Sequence, residues 1–314
     1  MKELRGKTAF ITGGCSGIGL GIAKVLAEEG MKVVITYIRD DQYEEAMAYF
    51  ARRAFQQVYG IRLDVTDREG FARTADEAER VFGPVAVLVN SAGVGLRGRM
   101  EQATYDDWDW VLGVNLGGVV NSIVTFLPRM LASGQEAHIV NVSSMGGIAA
   151  LGQVGLYTTS KFALMGLTEA LRTDMADRNI GVSVYCPGTV KSNIAESWKT
   201  RPARYARSGY PQSLTQTGAA AGAMMQHAMD PVEAGRHVLR GILNNDLFIF
   251  SHPEYRDVIA ARHAALMAAL PNEPVDELRV ESSRPILFNR IYLEAMRDVP
   301  GEALGLTRGR SQPG

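Results

Sequence analysis

The stretch Thr8-Ala9-Phe10-Ile11-Thr12-Gly13-Gly14-Cys15-Ser16-Gly17-Ile18-Gly19 decides the fold. Thr8 to Thr12 is short and apolar, as a buried strand is, and from Leu20 to Glu29 the residues Ile22, Val25 and Leu26 fall on one side of a helix. Strand, glycine turn and helix succeed one another without a break. Gly13 can take the tight turn, while Gly17 and Gly19 let backbone come close to a pyrophosphate at the positive end of the helix. Ser16 adds a hydroxyl donor. Gly13, Ser16, Gly17, Ile18 and Gly19 are therefore the expected phosphate cradle of a dinucleotide. A glycine cluster alone would equally suit a plain strand-to-helix turn, so the reading depends on the remainder of the chain.

Beyond the first helix the alternation repeats. Lys32 to Tyr37, Ile61 to Val65, Val85 to Val89, His138 to Val142, Val182 to Cys186 and Leu247 to Phe250 read as six further strands. Helical spacing separates them over Asp41 to Val58, Arg68 to Phe82, Tyr105 to Leu131 and Tyr157 to about Asp177. The rhythm predicts an α/β fold: a single doubly wound Rossmann domain over residues 1–252, with a seven-stranded parallel sheet flanked by helices. Residues 253–314 are expected to form a C-terminal helical extension, with a helix over Pro253 to Leu270, an amphipathic helix over Pro285 to Arg297 and a disordered end at Gly309 to Gly314.

Composition limits the functions open to such a fold. The formal charge of −1 and the scattering of Lys and Arg among Asp and Glu give no footprint for nucleic acid. No apolar run is expected to reach the length of a membrane span, the N-terminus lacks a signal-like apolar region, and no metal site is read. Cys15 and Cys186 suit reduced thiols, and the expected location is the cytoplasm.

Ligands of open parallel sheets gather beyond the carboxyl ends of the strands, and the residues there are informative. At the tip of the second strand a carboxylate would suit the ribose 2′-hydroxyl of NAD, whereas an Arg suits the 2′-phosphate of NADP. The tip is Tyr37-Ile38-Arg39, with Asp40 and Asp41 coming late, so NADP(H) is preferred over NAD(H). Arg39 could instead merely pair with Asp40 or Asp41. Asp64, with Val65, is placed to meet an adenine edge, and Asn90, Ala92 and Gly93 are small residues that let backbone approach a ligand. Pro187, Gly188, Val190 and Ser192 lie where the chain bends over the same edge.

Tyr157 and Lys161 stand four residues apart, on one face of a helix, where the ammonium can bias a phenol toward proton exchange. With 11 Tyr and 7 Lys in 314 residues, such a pair arises by chance in roughly one chain in four. Ser144 closes the fifth strand with a hydroxyl at the ligand edge. Asn115 sits mid-helix, where either its side chain bonds a neighbouring carbonyl or the helix is irregular and exposes one near the site. Residues 194–230, with Trp198, Tyr205 and Tyr210 and then Gly218 to Met229 rich in Ala and Met, have the composition of a substrate lid for a bulky apolar or aryl molecule.

Taken together, Thr12-Gly13-x-x-x-Gly17-x-Gly19, Asn90-x-Ala92-Gly93, Asn115, Ser144, Tyr157-x-x-x-Lys161 and Pro187-Gly188 resemble the short-chain dehydrogenase/reductase family in order and spacing, over about residues 5 to 252. The resemblance implies a hydride transfer between a secondary alcohol or its ketone and a nicotinamide cofactor. Tyr157 would be the general acid and base, its pKa lowered by Lys161 and by the positive nicotinamide in the oxidised complex, and Lys161 would also hold the nicotinamide ribose. Ser144 would bond the substrate oxygen, Asn115 would hold a relay water, and Val190 and Ser192 would fix the carboxamide. It also implies a homodimer or homotetramer. A narrower resemblance, carried by Thr104 to Trp110, Val124 to Met130, Lys191 to Ile194, Arg201-Pro202 and Ser208 to Tyr210, is to bacterial Cα-dehydrogenases of lignin-type β-aryl ethers, from which Tyr37 departs where those enzymes carry Asp. The alternatives are a non-catalytic cofactor-sensing regulator on the same fold and a dehydrogenase of steroid or acyl substrates.

Overall fold

A computed structural model describes residues 1–211, 226–287 and 289–296. The expected lid segment Gly218 to Met229 lies mostly outside these residues, as does the tail Gly309 to Gly314.

Seven parallel strands form one sheet in the order β3-β2-β1-β4-β5-β6-β7. They are β1 (Thr8–Thr12), β2 (Lys32–Tyr37), β3 (Val58–Arg62), β4 (Val85–Asn90), β5 (Ala137–Val142), β6 (Ile180–Cys186) and β7 (Phe248–Phe250). The order reverses between β1 and β4, and that switch point opens a crevice beyond the strand ends. All residues of β1, β4 and β5 are buried, which accounts for their unbroken apolar runs.

Helices α1 (Gly17–Glu28), α2 (Asp40–Arg52), α3 (Arg68–Phe82), α4 (Tyr105–Leu112), α5 (Gly118–Ser133), α6 (Gly155–Asp174) and α7 (Pro231–Asn244) flank the sheet. A Cβ at Gly21 of α1 would come 1.8 Å from the Pro231 carbonyl oxygen, so only glycine lets α1 and α7 pack this closely.

Several expectations about element bounds are corrected. The helix expected to reach Val58 stops at Arg52, and β3 occupies Val58–Arg62 rather than Ile61 to Val65. Pairing decides this: β2 takes Val58 opposite Val33 and Arg62 opposite Tyr37, which leaves Asp64 and Val65 past the strand end, in the crevice. The long helix from Tyr105 is interrupted by a π-turn at Gly113–Gly117. Across that turn, Tyr105–Ser133 is long and apolar enough by composition to cross a membrane, contrary to the sequence reading. One face of it is covered by the core, with Trp110, Val111, Asn115, Val119, Phe126 and Met130 almost wholly buried, while Val120, Val124 and Leu131 face outward.

The chain divides into two compact units, Met1–Leu270 and Pro271–Gly314. The first runs past the expected boundary at 252, because Tyr255 and Ile259 pack on a buried cluster of Met145, Val184 and Cys186; it therefore takes in α8 (Arg256–Ala268). In the second unit the single helix expected over Pro285 to Arg297 is two, α9 (Glu277–Leu287) and α10 (Arg290–Ala295). Asn289 starts the second one by accepting from the Ile291 N–H at 3.2 Å.

Candidate active site

The crevice at the switch point is a cleft of about 540 Å³. Its floor at one end is the glycine turn. Gly13 (φ +64°) and Gly17 (φ +48°) hold left-handed backbone, and a Cβ at Gly17 would lie 2.8 Å from Cβ of Ser192. The turn opens α1 as expected, and Thr12 Oγ1 ties it to the next loop by accepting from the N–H groups of Ser91 (3.0 Å) and Ala92 (3.1 Å).

Gly13, Ser16, Gly17, Ile18, Gly19, Tyr37, Arg39, Asp64, Val65, Ala92, Gly93, Ser144, Tyr157, Lys161, Pro187, Gly188, Val190 and Ser192 all line this one cleft. Asn90 does not. It is buried, and its Nδ2 donates to Asn141 Oδ1 at 2.8 Å, while Asn141 Nδ2 donates to Thr168 Oγ1; it braces β4, β5 and α6 from behind. The side chain of Asn90 therefore braces the sheet rather than facing the cleft.

Asn115 also lies behind the cleft wall. The helix is irregular there, and the side chain bonds a carbonyl distant in sequence, donating to Val94 O at 3.0 Å and to Ser160 Oγ at 2.9 Å. A Cβ on Gly93 would meet Asn115 Oδ1 at 3.3 Å and Lys161 Nζ at 3.7 Å, so Gly93 is the thin place in the wall between them.

Tyr157 and Lys161 lie on the first turns of α6, with the ammonium 5.5 Å from the phenol ring centre. Lys161 is buried and donates to the Val142 carbonyl at 2.9 Å. Burial lowers its pKa to about 8. Burial also pushes the Tyr157 phenol above its ordinary range, opposed by a hydrogen bond with Ser144. That direction belongs to the cofactor-free cleft, where desolvation of the phenolate is the largest influence; the expected lowering concerns the complex with oxidised cofactor. A phenol that holds its proton and a lysine that gives one up readily suit proton exchange at an oxygen between Tyr157 and Ser144.

At the other end, Arg39 bonds the carboxylate of Asp41, with Nε to Oδ1 at 3.0 Å, and lies 3.7 Å from Glu196. Tyr37 stacks on Tyr43, ring centres 4.2 Å apart. The lid segment reaches this end too: Arg204 donates to Thr66 Oγ1 at 2.9 Å. Sequence reading missed Glu196, Arg204 and Thr66 because isolated charged and hydroxyl residues carry no periodicity. Further along, Arg201 forms an ion pair with the buried Asp107 at 2.7 Å, which joins residues 201–210 to the start of α4. Asp107 and Thr104 form a reciprocal cap there, a pattern visible in Thr104-x-x-Asp107.

A glycine turn at a helix start, left-handed backbone that a side chain would crowd, and an elongated cleft ending at a Tyr/Lys pair all fit a nicotinamide dinucleotide. Among the described residues no group of three or more His, Cys, Asp or Glu is arranged to hold a metal ion.

Comparison with known proteins agrees with the geometry. The family model described as short chain dehydrogenase matches residues 7–203. A C alpha-dehydrogenase of Sphingobium sp. strain SYK-6 is 42% identical over 268 residues, 85% of this chain and 87% of that protein. The LigO-apo structure from the same strain is 40% identical with a TM-score of 0.73, covering 96% of this chain and all of that one. A short chain dehydrogenase/reductase from Burkholderia phymatum, solved in complex with NAD, is 31% identical with a TM-score of 0.79, covering 88% of this chain and all of that one.

Proposed function

Because this chain belongs to the short-chain dehydrogenase family, and so is a nicotinamide-dependent oxidoreductase, we propose that it interconverts a bulky aryl or otherwise apolar secondary alcohol and its ketone, with NADP(H) preferred. One observation carries the reading: Tyr157, Ser144 and Lys161 converge on the cleft that begins at the glycine turn. The cofactor supplies and receives the hydride and, when oxidised, adds positive charge. Tyr157 takes the alcohol proton, or returns it to the ketone oxygen. Ser144 donates a hydrogen bond to that oxygen and stabilises the charge that develops on it. Lys161 holds the ribose and passes protons by way of a water near the Asn115 turn.

Aryl preference is supported by the aromatic and thioether side chains around the cleft, Trp198, Met145 and Tyr255 among them, and by the name of the Sphingobium relative. NADP(H) preference is supported by Tyr37 in place of a carboxylate and by Arg39 on the cleft wall. A second reading, NAD(H) use, is favoured by the engagement of Arg39 with Asp41. Assembly into a homodimer or homotetramer is supported by the outward apolar residues Val120, Val124 and Leu131 of α5, and the cytoplasm remains the expected location.

Assaying aryl ketones, steroid ketones and acyl substrates with NADPH and NADH tests the proposal. Aryl ketones turned over with higher kcat/KM on NADPH are expected; turnover confined to another class refutes the substrate assignment, and a strong NADH preference refutes the cofactor one. Tyr157→Phe is expected to lose turnover by at least about a hundredfold while still binding cofactor, and near-normal turnover in it refutes the acid/base role.

A further inference from the structure

Beyond the motif residues, the loop Pro187–Ser192 is held by a side chain from the far edge of the sheet. His252 comes just after β7, two residues past Phe250. The Gly188 N–H donates to its Nδ1 at 3.0 Å, and its Nε2 lies 3.3 Å from the Thr189 carbonyl oxygen. A backbone N–H can only donate and a carbonyl can only accept, so Nδ1 carries the lone pair and Nε2 the proton. The tautomer is thus set by the loop.

That assignment orders the groups behind it. Ser251 Oγ lies 2.8 Å from the same Nδ1 and 2.9 Å from the Tyr185 hydroxyl. An unprotonated Nδ1 cannot donate, so the Ser251 hydroxyl shares its lone pair with the Gly188 N–H, and Tyr185 then donates to Ser251. Tyr185 is fully buried, and burial pushes its phenol up to about 12, which keeps it a donor. Packing is as close as the hydrogen bonding: a Cβ at Gly188 would come 2.7 Å from the His252 ring and 2.6 Å from the Tyr255 ring. On its other side the loop is paired with Met229, which donates to the Thr189 carbonyl and accepts from the Lys191 N–H, both at 3.0 Å.

We propose that His252 is a positioning residue that fixes the Gly188–Thr189 peptide for the nicotinamide end of the cofactor. The inference rests on the reading that Val190 and Ser192 receive the carboxamide. It requires that loss of His252 be felt by the nicotinamide half of the cofactor and not by the adenosine half, which binds at the glycine turn and Asp64.

The experiment compares Kd values of NADH with ADP-ribose, and of NADPH with 2′-phospho-ADP-ribose, by direct titration of wild type, His252→Leu, His252→Asn, His252→Gln and Ser192→Ala. His252→Leu should weaken NADH or NADPH about tenfold or more, through the loss of both hydrogen bonds to the loop backbone, with the nicotinamide-free ligands within twofold of wild type. His252→Asn, whose amide oxygen can accept from Gly188, should recover most of the loss. His252→Gln keeps polarity and bulk but moves the acceptor away, and it serves if the Leu variant does not fold; it too should weaken only the complete cofactors. Equal weakening of both ligand types, or of neither, overturns the proposal. Ser192→Ala separates the two failures: an effect there with none at His252 overturns the role of His252 alone, whereas no effect at either position overturns the carboxamide reading beneath it.

Discussion

Asn115 and Val94 bond each other twice: the Val94 N–H donates to Oδ1 at 2.7 Å, and Nδ2 donates back to the Val94 carbonyl at 3.0 Å. The same amide reaches Ser160, whose hydroxyl donates to the Tyr157 carbonyl at 2.7 Å. The π-turn is thereby tied both to the loop after β4 and to the helix that presents Tyr157. Asn115→Ala leaves buried backbone groups unpaired and should cost about 2–4 kcal/mol, read as a lower urea midpoint at unchanged m-value. A loss under about 1 kcal/mol contradicts this bracing role.

Lys161 carries a stability cost that the reaction requires. Its folded pKa of about 8, against an ordinary 10.5, means that the fold disfavours the ammonium. For a base with a depressed pKa the penalty is full below pH 8 and is relieved as pH rises from about 8 to about 10.5; it is worth about 3 kcal/mol. Lys161→Met should therefore be more stable than wild type near pH 7 by about 1–3 kcal/mol, after allowance for the unpaired Val142 carbonyl, and inactive. Calorimetry of the cofactor-free proteins at pH 7 and pH 10 checks both the sign and the convergence, and a less stable Met variant at pH 7 contradicts it.

Asp107 is wholly buried and accepts from Arg201, Ser208, Gly209 and Thr104. Burial pushes its carboxyl up, but these donors together hold it below the usual carboxylate range. Its contribution to stability is thus present above the ordinary carboxyl pKa of about 3.9 and lost as pH falls through the lower folded value. Asp107→Ala strands the Arg201 guanidinium and should cost about 3–5 kcal/mol. With residues 201–210 released from α4, KM for a bulky alcohol should rise more than kcat falls. Unchanged KM in Asp107→Asn together with Asp107→Ala contradicts a link between this pair and the substrate.

Arg39 is shared between Asp41 and the cleft. Asp41→Asn should free it for a 2′-phosphate and lower KM for NADPH by a factor of about 2 to 5, the worth of an exposed ion pair, while leaving NADH unchanged. Arg39→Gln should act in the opposite direction on NADPH alone. An NADPH/NADH ratio indifferent to both substitutions removes Arg39 from cofactor choice.

Local chemistry determined much of this protein before any packing was known. The glycine turn, the strand runs and the Tyr157/Lys161 spacing depend on near neighbours: backbone freedom at Gly13 and Gly17, burial on both faces of a strand, and one face of a helix. Those relations are fixed within a few residues, and they gave the doubly wound fold and most of the cleft. Tertiary structure alone decided the rest. Only pairing with β2 moved β3 to Val58–Arg62, only the sheet interior made the Asn90 side chain a brace, and only burial pushed the Tyr157 phenol up in the cofactor-free cleft. The bonds of His252 to Gly188 and Thr189, of Glu196 to Arg39 and of Arg204 to Thr66 span between 63 and 157 residues of chain, and long-range hydrogen bonds and ion pairs of isolated polar residues leave no periodic trace in sequence.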